Sequence, residues 1–368
     1  MDTPDAALPV SPDVSLAQRS GIDATHHRGL VYPFGGQGPA TGEAIAIGDA
    51  VHWLRLPLPG SLGHINCWLI ADGTRTSVVD TGLNTPACAD AWRMLFDAAP
   101  LADRPIGRVI CTHFHPDHVG MAGWLARKFD ARLWMTRGEW LTVRLLTSDM
   151  RDEVPEEQRA FWRAAGWSEA QIEAAAAGGF ARMARAVAPL PMSYRRITDG
   201  ERIAIGGREW LVVIGSGHCP EHACLLNAAD GLLISGDQVL PRISSNVSLG
   251  LIEPEADPLG EWLASIERLL LLPDDLLVLP SHGDPFVGLH LRLIALRDEH
   301  RMRLDQLHAH LAQPRRAVDC FGRMFRRKIE GDMLGLASGE TLAHLRRLEV
   351  EGRAMREDRD GVWWYRAA

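Results

Sequence analysis

The run His113-Phe114-His115-Pro116-Asp117-His118 puts three imidazoles and a carboxylate within six residues. Neutral imidazole with carboxylate is the donor set that suits zinc, and iron or manganese less selectively. His113 and His115 stand two apart, so in an extended loop both point to one side. Pro116 stiffens the turn that follows, and Asp117 and His118 then face a second point nearby. One short segment can therefore serve two adjacent metal ions. The plain alternative is a chance cluster of surface histidines; the apolar run before it and Gly120 after it argue against that reading.

Two ion sites need more donors than four side chains. Three further candidates share the local design of the first: an apolar run, a tight turn of small residues, then one donor. Arg108-Val109-Ile110-Cys111 leads into the histidine run, and Trp210 to Ile214 leads into Gly215-Ser216-Gly217-His218. Leu232-Leu233-Ile234 leads into Ser235-Gly236-Asp237, and Leu276 to Pro280 leads into Ser281-His282-Gly283. Each apolar run reads as a buried strand, and glycine beside a donor permits close backbone approach and unusual dihedrals. Core packing alone does not account for this design four times over. Val119 to Leu125 reads as the start of a helix, so the chemistry lies in loops at strand ends with a helix N-terminus behind the first of them.

These pieces, together with Val79-Asp80-Thr81-Gly82 and in this order, resemble the metallo-β-lactamase superfamily over roughly residues 43 to 288. The resemblance implies an α/β fold, a four-layer αββα sandwich of two mixed sheets flanked by helices. It implies that His113, His115 and His218 hold one metal ion, that Asp117, His118 and His282 hold the other, and that Asp237 bridges them. Asp80 matches a position that is structural or supports a ligand in the family. Asp237 disfavours lactam cleavage, because the true β-lactamases of the family lack an aspartate there. His115 disfavours the flavodiiron branch, which has an acidic residue at that place. A persulfide dioxygenase branch with one iron is a further alternative. The large group of hydrolases with two metals fits best: glyoxalase II-like thioesterases, lactonases, phosphodiesterases and some ribonucleases.

Two divalent ions about 3.5–4 Å apart share a water and lower its pKa from about 15.7 towards about 7. The cofactors expected are therefore two divalent ions, zinc first, with iron or manganese as alternatives. The catalytic residues expected are Asp117 and Asp237, with a metal-bridging hydroxide as nucleophile. Cys219, beside His218, reads as a loop residue, since a nucleophilic cysteine needs its own activating base. His222 reads as structural or as support for a ligand, and His64 and Asn66, at a strand start, either line the site or only pack and hydrogen-bond. Arg242, Ser244 and Asn246, in the loop after Asp237, either position a substrate or close the loop on its own backbone.

A chain of 368 residues suggests two domains or one domain with additions. Residues 1–42 read as an extended arm, 43–288 as the metal-binding domain with a helical insertion at 137–195, and 289–368 as a C-terminal unit. The insertion carries Trp140, Phe161, Trp162 and Trp167. These either roof the site with apolar surface, favouring an acyl substrate, or fasten the insertion to the sandwich. The C-terminal unit reads as a long helix from about His290 to Leu311, a second opened by Pro314, a third from Ser338, and a hairpin around Gly361. Helices followed by a hairpin resemble a winged helix, a tail found on one endoribonuclease branch of the superfamily. The tail holds 16 basic and 12 acidic residues, net +4, against net −12 for the rest and −8 overall. That is a weak electrostatic footprint for a polyanion, so the tail is expected to pack on the sandwich or build a homodimer rather than bind nucleic acid. No apolar run is long enough to cross a membrane, no signal segment opens the chain, and six scattered cysteines fit a reducing cytoplasm. The expected activity is metal-dependent hydrolysis of an ester, thioester or lactone in a small acyl substrate. The alternative is a phosphodiesterase or endoribonuclease that uses the tail as a nucleic-acid clamp.

Overall fold

Strand β5 (His64–Asp72) is buried along both faces, and its alternate residues enter different cores. Cys67 and Leu69 point to one cluster, Trp68 and Ile70 to another. A two-residue period with both faces apolar is what a sheet covered on both sides requires. The computed structural model describes residues 24–368. Its first sheet runs in chain order: β3 (Ala44–Ile47), β4 (Val51–Pro57), β5, β6 (Arg75–Val79), β7 (Ile106–Ile110), β8 (Arg132–Met135) and β9 (Arg195–Arg196). Pairing is antiparallel up to β6 and parallel from there. The second sheet orders β10 (Arg202–Ile205), β11 (Arg208–Gly215), β12 (His222–Asn227), β13 (Leu232–Gly236) and β14 (Leu277–Pro280), with only the last pair parallel.

Three apolar layers separate four structural ones. Trp53, Trp68, Ile110, Trp210, Leu225 and Ile234 fill the space between the sheets. On the outer face of the first sheet, Cys67, Leu69 and Val78 meet Trp92 of α1 (Pro86–Phe96) and Leu125 of α3 (Ala122–Phe129). The short α2 (Pro116–Val119) lies before α3. On the outer face of the second sheet, Cys224, Leu226 and Leu233 meet Trp262 and Ile266 of α8 (Pro258–Leu269) and Leu293 of α9 (Leu289–His310). This is the expected four-layer αββα sandwich.

The insertion is helical as expected: α4 (Arg137–Ser148), α5 (Glu156–Ala164), α6 (Glu169–Ala176) and α7 (Arg182–Ala186). The capping box at Ser168 forms, with reciprocal bonds to Gln171. Its aromatics hold the insertion in place. Trp140 stacks on Tyr194 at 4.4 Å, Phe161 meets Trp363 edge-on at 5.9 Å, and Trp167 donates its indole N–H to Ser338 Oγ at 2.8 Å.

The C-terminal unit continues α9 with α10 (Phe321–Met324), α11 (Met333–Val350) and the hairpin β15 (Ala354–Arg359) and β16 (Val362–Ala367). It packs on α8 through the same apolar layer, so the tail sits on the sandwich. Two boundaries differ from expectation. Pro314 opens no helix, because the next residue, Arg315, exchanges both backbone bonds with Tyr365 of the hairpin. The third helix starts at Met333 rather than Ser338, whose hydroxyl is taken inward by Trp167 instead of capping. Of the N-terminal arm, β1 (Thr25–His27) and β2 (Leu30–Tyr32) form a hairpin that bridges Val31 to Val287 and buries Tyr32 and Phe34. The remainder of the arm, 1–23, lies outside the described residues.

Candidate metal centre

Every candidate donor follows a strand of the two sheets. His113 to His118 come after β7, His218 after β11, Asp237 after β13 and His282 after β14. Glycine makes two of these turns possible. At Gly217 (φ 103°) a Cβ would fall 2.6 Å from Trp262. At Gly236 (φ 52°) it would fall 2.4 Å from the His222 ring. The register of β13 against β14 also slips between Ile234 and Gly236, and such an irregularity re-aims the side chain that follows.

The result is two adjoining donor clusters. His115 Nδ1 lies 2.8 Å from His113 Nε2 and 3.0 Å from His218 Nε2, and the last two are 3.3 Å apart. In the second cluster, Asp117 Oδ2 is 3.3 Å from His282 Nε2 and 3.6 Å from His118 Nε2. Asp237 stands between them. Its Oδ2 faces His218 Nε2 at 3.5 Å, and its Oδ1 faces His118 Nε2 at 3.6 Å and His282 Nε2 at 3.5 Å. The seven predicted side chains are thus brought to one place.

The outer ring nitrogens decide what the inner ones can do. His118 Nδ1 donates to the Asp80 carboxylate at 2.8 Å, His218 Nδ1 to Asn246 O at 2.7 Å and His282 Nδ1 to His64 O at 3.1 Å. Thr112 Oγ1 donates to Asp80 and so accepts from His113 Nδ1 at 3.0 Å. In the neutral form each of these four rings therefore keeps its lone pair on Nε2, aimed inward. His118 Nε2 and Asp237 Oδ1 are buried without a hydrogen-bond partner. Burial, the dominant influence, holds His113, His115 and His218 below the ordinary imidazole range, His115 at about 3. Burial also acts to lower His118, but Asp117, Asp80 and Asp237 outweigh it and push its pKa well up. Among the described residues no Lys or Arg pairs with these three acids. Converging ring nitrogens and three carboxylates, Asp80 and Asp237 buried and Asp117 partly so, repel one another unless a proton on His118 or bound cations intervene. The donor set fits two divalent metal ions, one per cluster, on the chemistry of nitrogen and oxygen ligands.

The supporting residues fall into place around this centre. Asp80, held in the left-handed region (φ 61°), accepts from Thr112 N as well as from His118. Asn66 orients the His282 turn by donating to Pro280 O and Gly283 O. His222 Nε2 accepts from Asp237 N at 3.0 Å, which makes it a positioning residue rather than a donor to the clusters. Cys219 is buried and its thiol pKa is pushed well up, chiefly by that burial, so it is no nucleophile. In the loop after Asp237, Asn246 supports His218, while Arg242 lies over the Tyr32 ring at 5.1 Å.

Sequence reasoning missed Glu139. From the first turn of α4 its buried carboxylate accepts from Phe114 N at 2.8 Å and from Glu221 N at 2.7 Å. Glu221 returns the contact through Gly138 N at 2.7 Å. Glu139 thereby ties the histidine run to the segment after His218. Burial first, against those two donors, raises its pKa to about 7. The available signal was an acid beside Trp140 on the apolar side of a helix, which looks the same as any acid in a first helical turn.

The sequence pattern of the metallo-beta-lactamase superfamily matches residues 60–282, more than half of the chain. The chain belongs to that superfamily. A second pattern, the metallo-beta-lactamase-like C-terminal domain, matches residues 304–368. Within the superfamily, the chain resembles a beta-lactamase domain protein from Burkholderia ambifaria. The two share 39% identity over 92% of this chain and 98% of that one, with a TM-score of 0.84. It is 25% identical to the probable metallo-hydrolase YqjP of Bacillus subtilis over 81% of this chain and 92% of that protein. It is 27% identical to the acyl-coenzyme A thioesterase MBLAC2 of Gallus gallus over 65% of this chain and 80% of that protein.

Proposed function

We propose that the chain is a hydrolase with two divalent metal ions, acting on carboxylic ester and thioester bonds of an acyl substrate. One observation carries this reading: Asp237 presents one oxygen to each of two donor clusters. In this assignment His113, His115 and His218 hold one ion, Asp117, His118 and His282 the other, and Asp237 both. The ions, when bound, supply a hydroxide at neutral pH and polarise the acyl carbonyl. The protein's own work is to keep that chemistry fixed. Asp80, Thr112 and the carbonyls of Asn246 and His64 hold four imidazoles in the tautomer that leaves Nε2 free. Glu139 and Glu221 lock the loops that carry them. No nucleophilic serine or cysteine is needed, which agrees with the buried, protonated Cys219. Zinc is the first choice of ion for this donor set.

Ester and thioester substrates are preferred over phosphodiesters on charge. The basic residues of the tail are largely spent on internal partners: Arg303 on Glu340, Arg347 on Asp257, Arg353 on Asp305 and Arg356 on Glu255. Arg323, Arg326 and Arg327 are exposed and have no acidic partner among the described residues, a short run against the many phosphate contacts that a nucleic-acid backbone requires. The likeness to an acyl-coenzyme A thioesterase points the same way. Metal-loaded protein should turn over acyl thioesters and p-nitrophenyl acetate and leave bis-p-nitrophenyl phosphate nearly untouched. Turnover of the phosphodiester alone, with retention on RNA at physiological salt, would sink the proposal.

A further inference from the structure

We infer that Glu340 of the C-terminal unit is a positioning residue for the metal centre, acting on His218 through Asn246, so that the tail completes the site as well as covering the sandwich. The inference rests on the two-ion reading above. His218 Nδ1 donates to Asn246 O at 2.7 Å, and Asn246 lies in the irregular segment between β13 and α8. A carbonyl in such a segment is placed only by whatever grips the segment. Helix α11 grips it at two neighbouring residues. Gly339 O accepts from Leu249 N at 3.0 Å, and Glu340 Oε2 accepts from Asn246 Nδ2 at 3.3 Å. Ser248 Oγ donates to Asn246 Oδ1, so both ends of the amide are engaged. A Cβ on Gly339 would fall 2.7 Å from Ser248 Oγ and 2.8 Å from its Cβ. Glycine inside a helix costs stability, and here it permits the close approach of helix to loop.

The Glu340 carboxylate has more partners than fastening two helices requires. Its Oε1 accepts from Arg303 of α9 at 3.1 Å, which joins α9 to α11. Its Oε2 is left for the loop. The side chain is only 12% exposed, and burial, the largest influence, raises its pKa against Arg303 and Asn246. Burying a carboxylate is costly unless its bonds offset the loss of water. The series then runs from the Glu340 carboxylate to the Asn246 amide, from the Asn246 carbonyl to His218 Nδ1, and from His218 Nε2 to Asp237 Oδ2 at 3.5 Å. The pair Arg347–Asp257, at 2.7 Å, fastens α11 to the start of α8 and supplies a control.

Zinc affinities would be measured by chelator competition. Glu340→Ala should weaken one of the two ions by about tenfold, the low end for groups that hold a ligand in place, and leave the other within about twofold. Asn246→Ala keeps the backbone carbonyl and should do the same. The double variant should be no weaker than the worse single one, because the two side chains act in series. Arg347→Met should lower the urea midpoint and leave both affinities within about twofold. Should Glu340→Ala not fold, Glu340→Asp gives the same comparison, since it keeps the charge beside Arg303 and withdraws it from Asn246. Lost stability with both ions held as tightly as in the native chain, or losses that add in the double variant, would overturn the inference. A metal-free readout separates it from the two-ion reading. In 15N-histidine-labelled protein without metal, His218, assigned by the signal lost in His218→Gln, should carry its proton on Nδ1. Glu340→Ala should shift that ring towards the other tautomer; an unchanged signal would count against Glu340. A native chain that takes up no zinc, with a His218 signal that still responds to Glu340→Ala, would refute the two-ion reading and leave the role of Glu340 standing.

Discussion

Asp237 makes its demands through two oxygens at once. Its carboxyl, well below the usual carboxylate range despite burial because His118 and His282 stand beside it, is fully charged near neutrality. Replacing it by alanine takes away a donor from each cluster. Asp237→Ala should lower the bound metal from two ions towards one, read by elemental analysis, and cut kcat by more than the ~10–100-fold typical of residues that only support ligands. Unchanged metal content would contradict the bridging role. Asp80 is such a support. Asp80→Asn keeps an oxygen for His118 Nδ1 but removes the charge, and should weaken metal affinity by about 10–100-fold, measured by competition with a chelator. A loss no larger than that of an exposed control such as Asp90→Asn would remove Asp80 from the assignment.

At the scale of the elements, the loops that carry the donors are held by the insertion as much as by the sheets. Glu139 satisfies two backbone N–H groups belonging to different loops. An amide in its place has one acceptor oxygen and turns a donor towards a donor. Glu139→Gln should therefore cost about 1–3 kcal/mol for the N–H left unpaired, seen as a lower urea midpoint; an unchanged midpoint would show that the clamp is not needed. This element explains where the sequence was legible. The four strands that end in donors were visible because apolar run, glycine and donor all sit within a few residues of one another. The tail helix starting at Met333 and the extended segment after Pro314 were misread because their boundaries are set by Trp167 and Tyr365, far away in sequence. Glu139 went unseen for the same reason: what makes it special is two partners 25 and 82 residues distant. The insertion's aromatics left two readings open in the sequence, and their observed contacts divide them, Trp140 and Phe161 fastening helices while Trp162 and Trp167 also line a cavity.

At the scale of the whole molecule, the C-terminal unit carries a buried histidine pair. His344 Nδ1 donates to Glu340 O at 2.8 Å, and its Nε2 lies 3.1 Å from His300 Nδ1. Burial, chiefly, lowers the His344 pKa to about 4, with Arg303 acting the same way against the Glu340 backbone bond. Since the folded pKa lies below the unfolded value near 6.5, the fold holds neutral His344, and this share of stability is complete above about 6.5 and lost as pH falls towards 4. The share is on the order of 3 kcal/mol. His344→Gln should flatten the decline of the urea midpoint between those pH values relative to the native chain; parallel curves would exclude His344 as the source. The seven donors are gathered from strand ends that extend from residue 113 to residue 282, so no fragment ending before β14 contains the centre. On the proposed assignment, ion capture would then act as a proofreader of assembly. A chain that has mispaired β13 and β14 offers only scattered weak sites, whereas the finished chain is favoured by an amount that grows with the logarithm of free ion concentration. If the centre takes ions as proposed, the supply of free metal would set the population of correctly closed molecules as well as their activity.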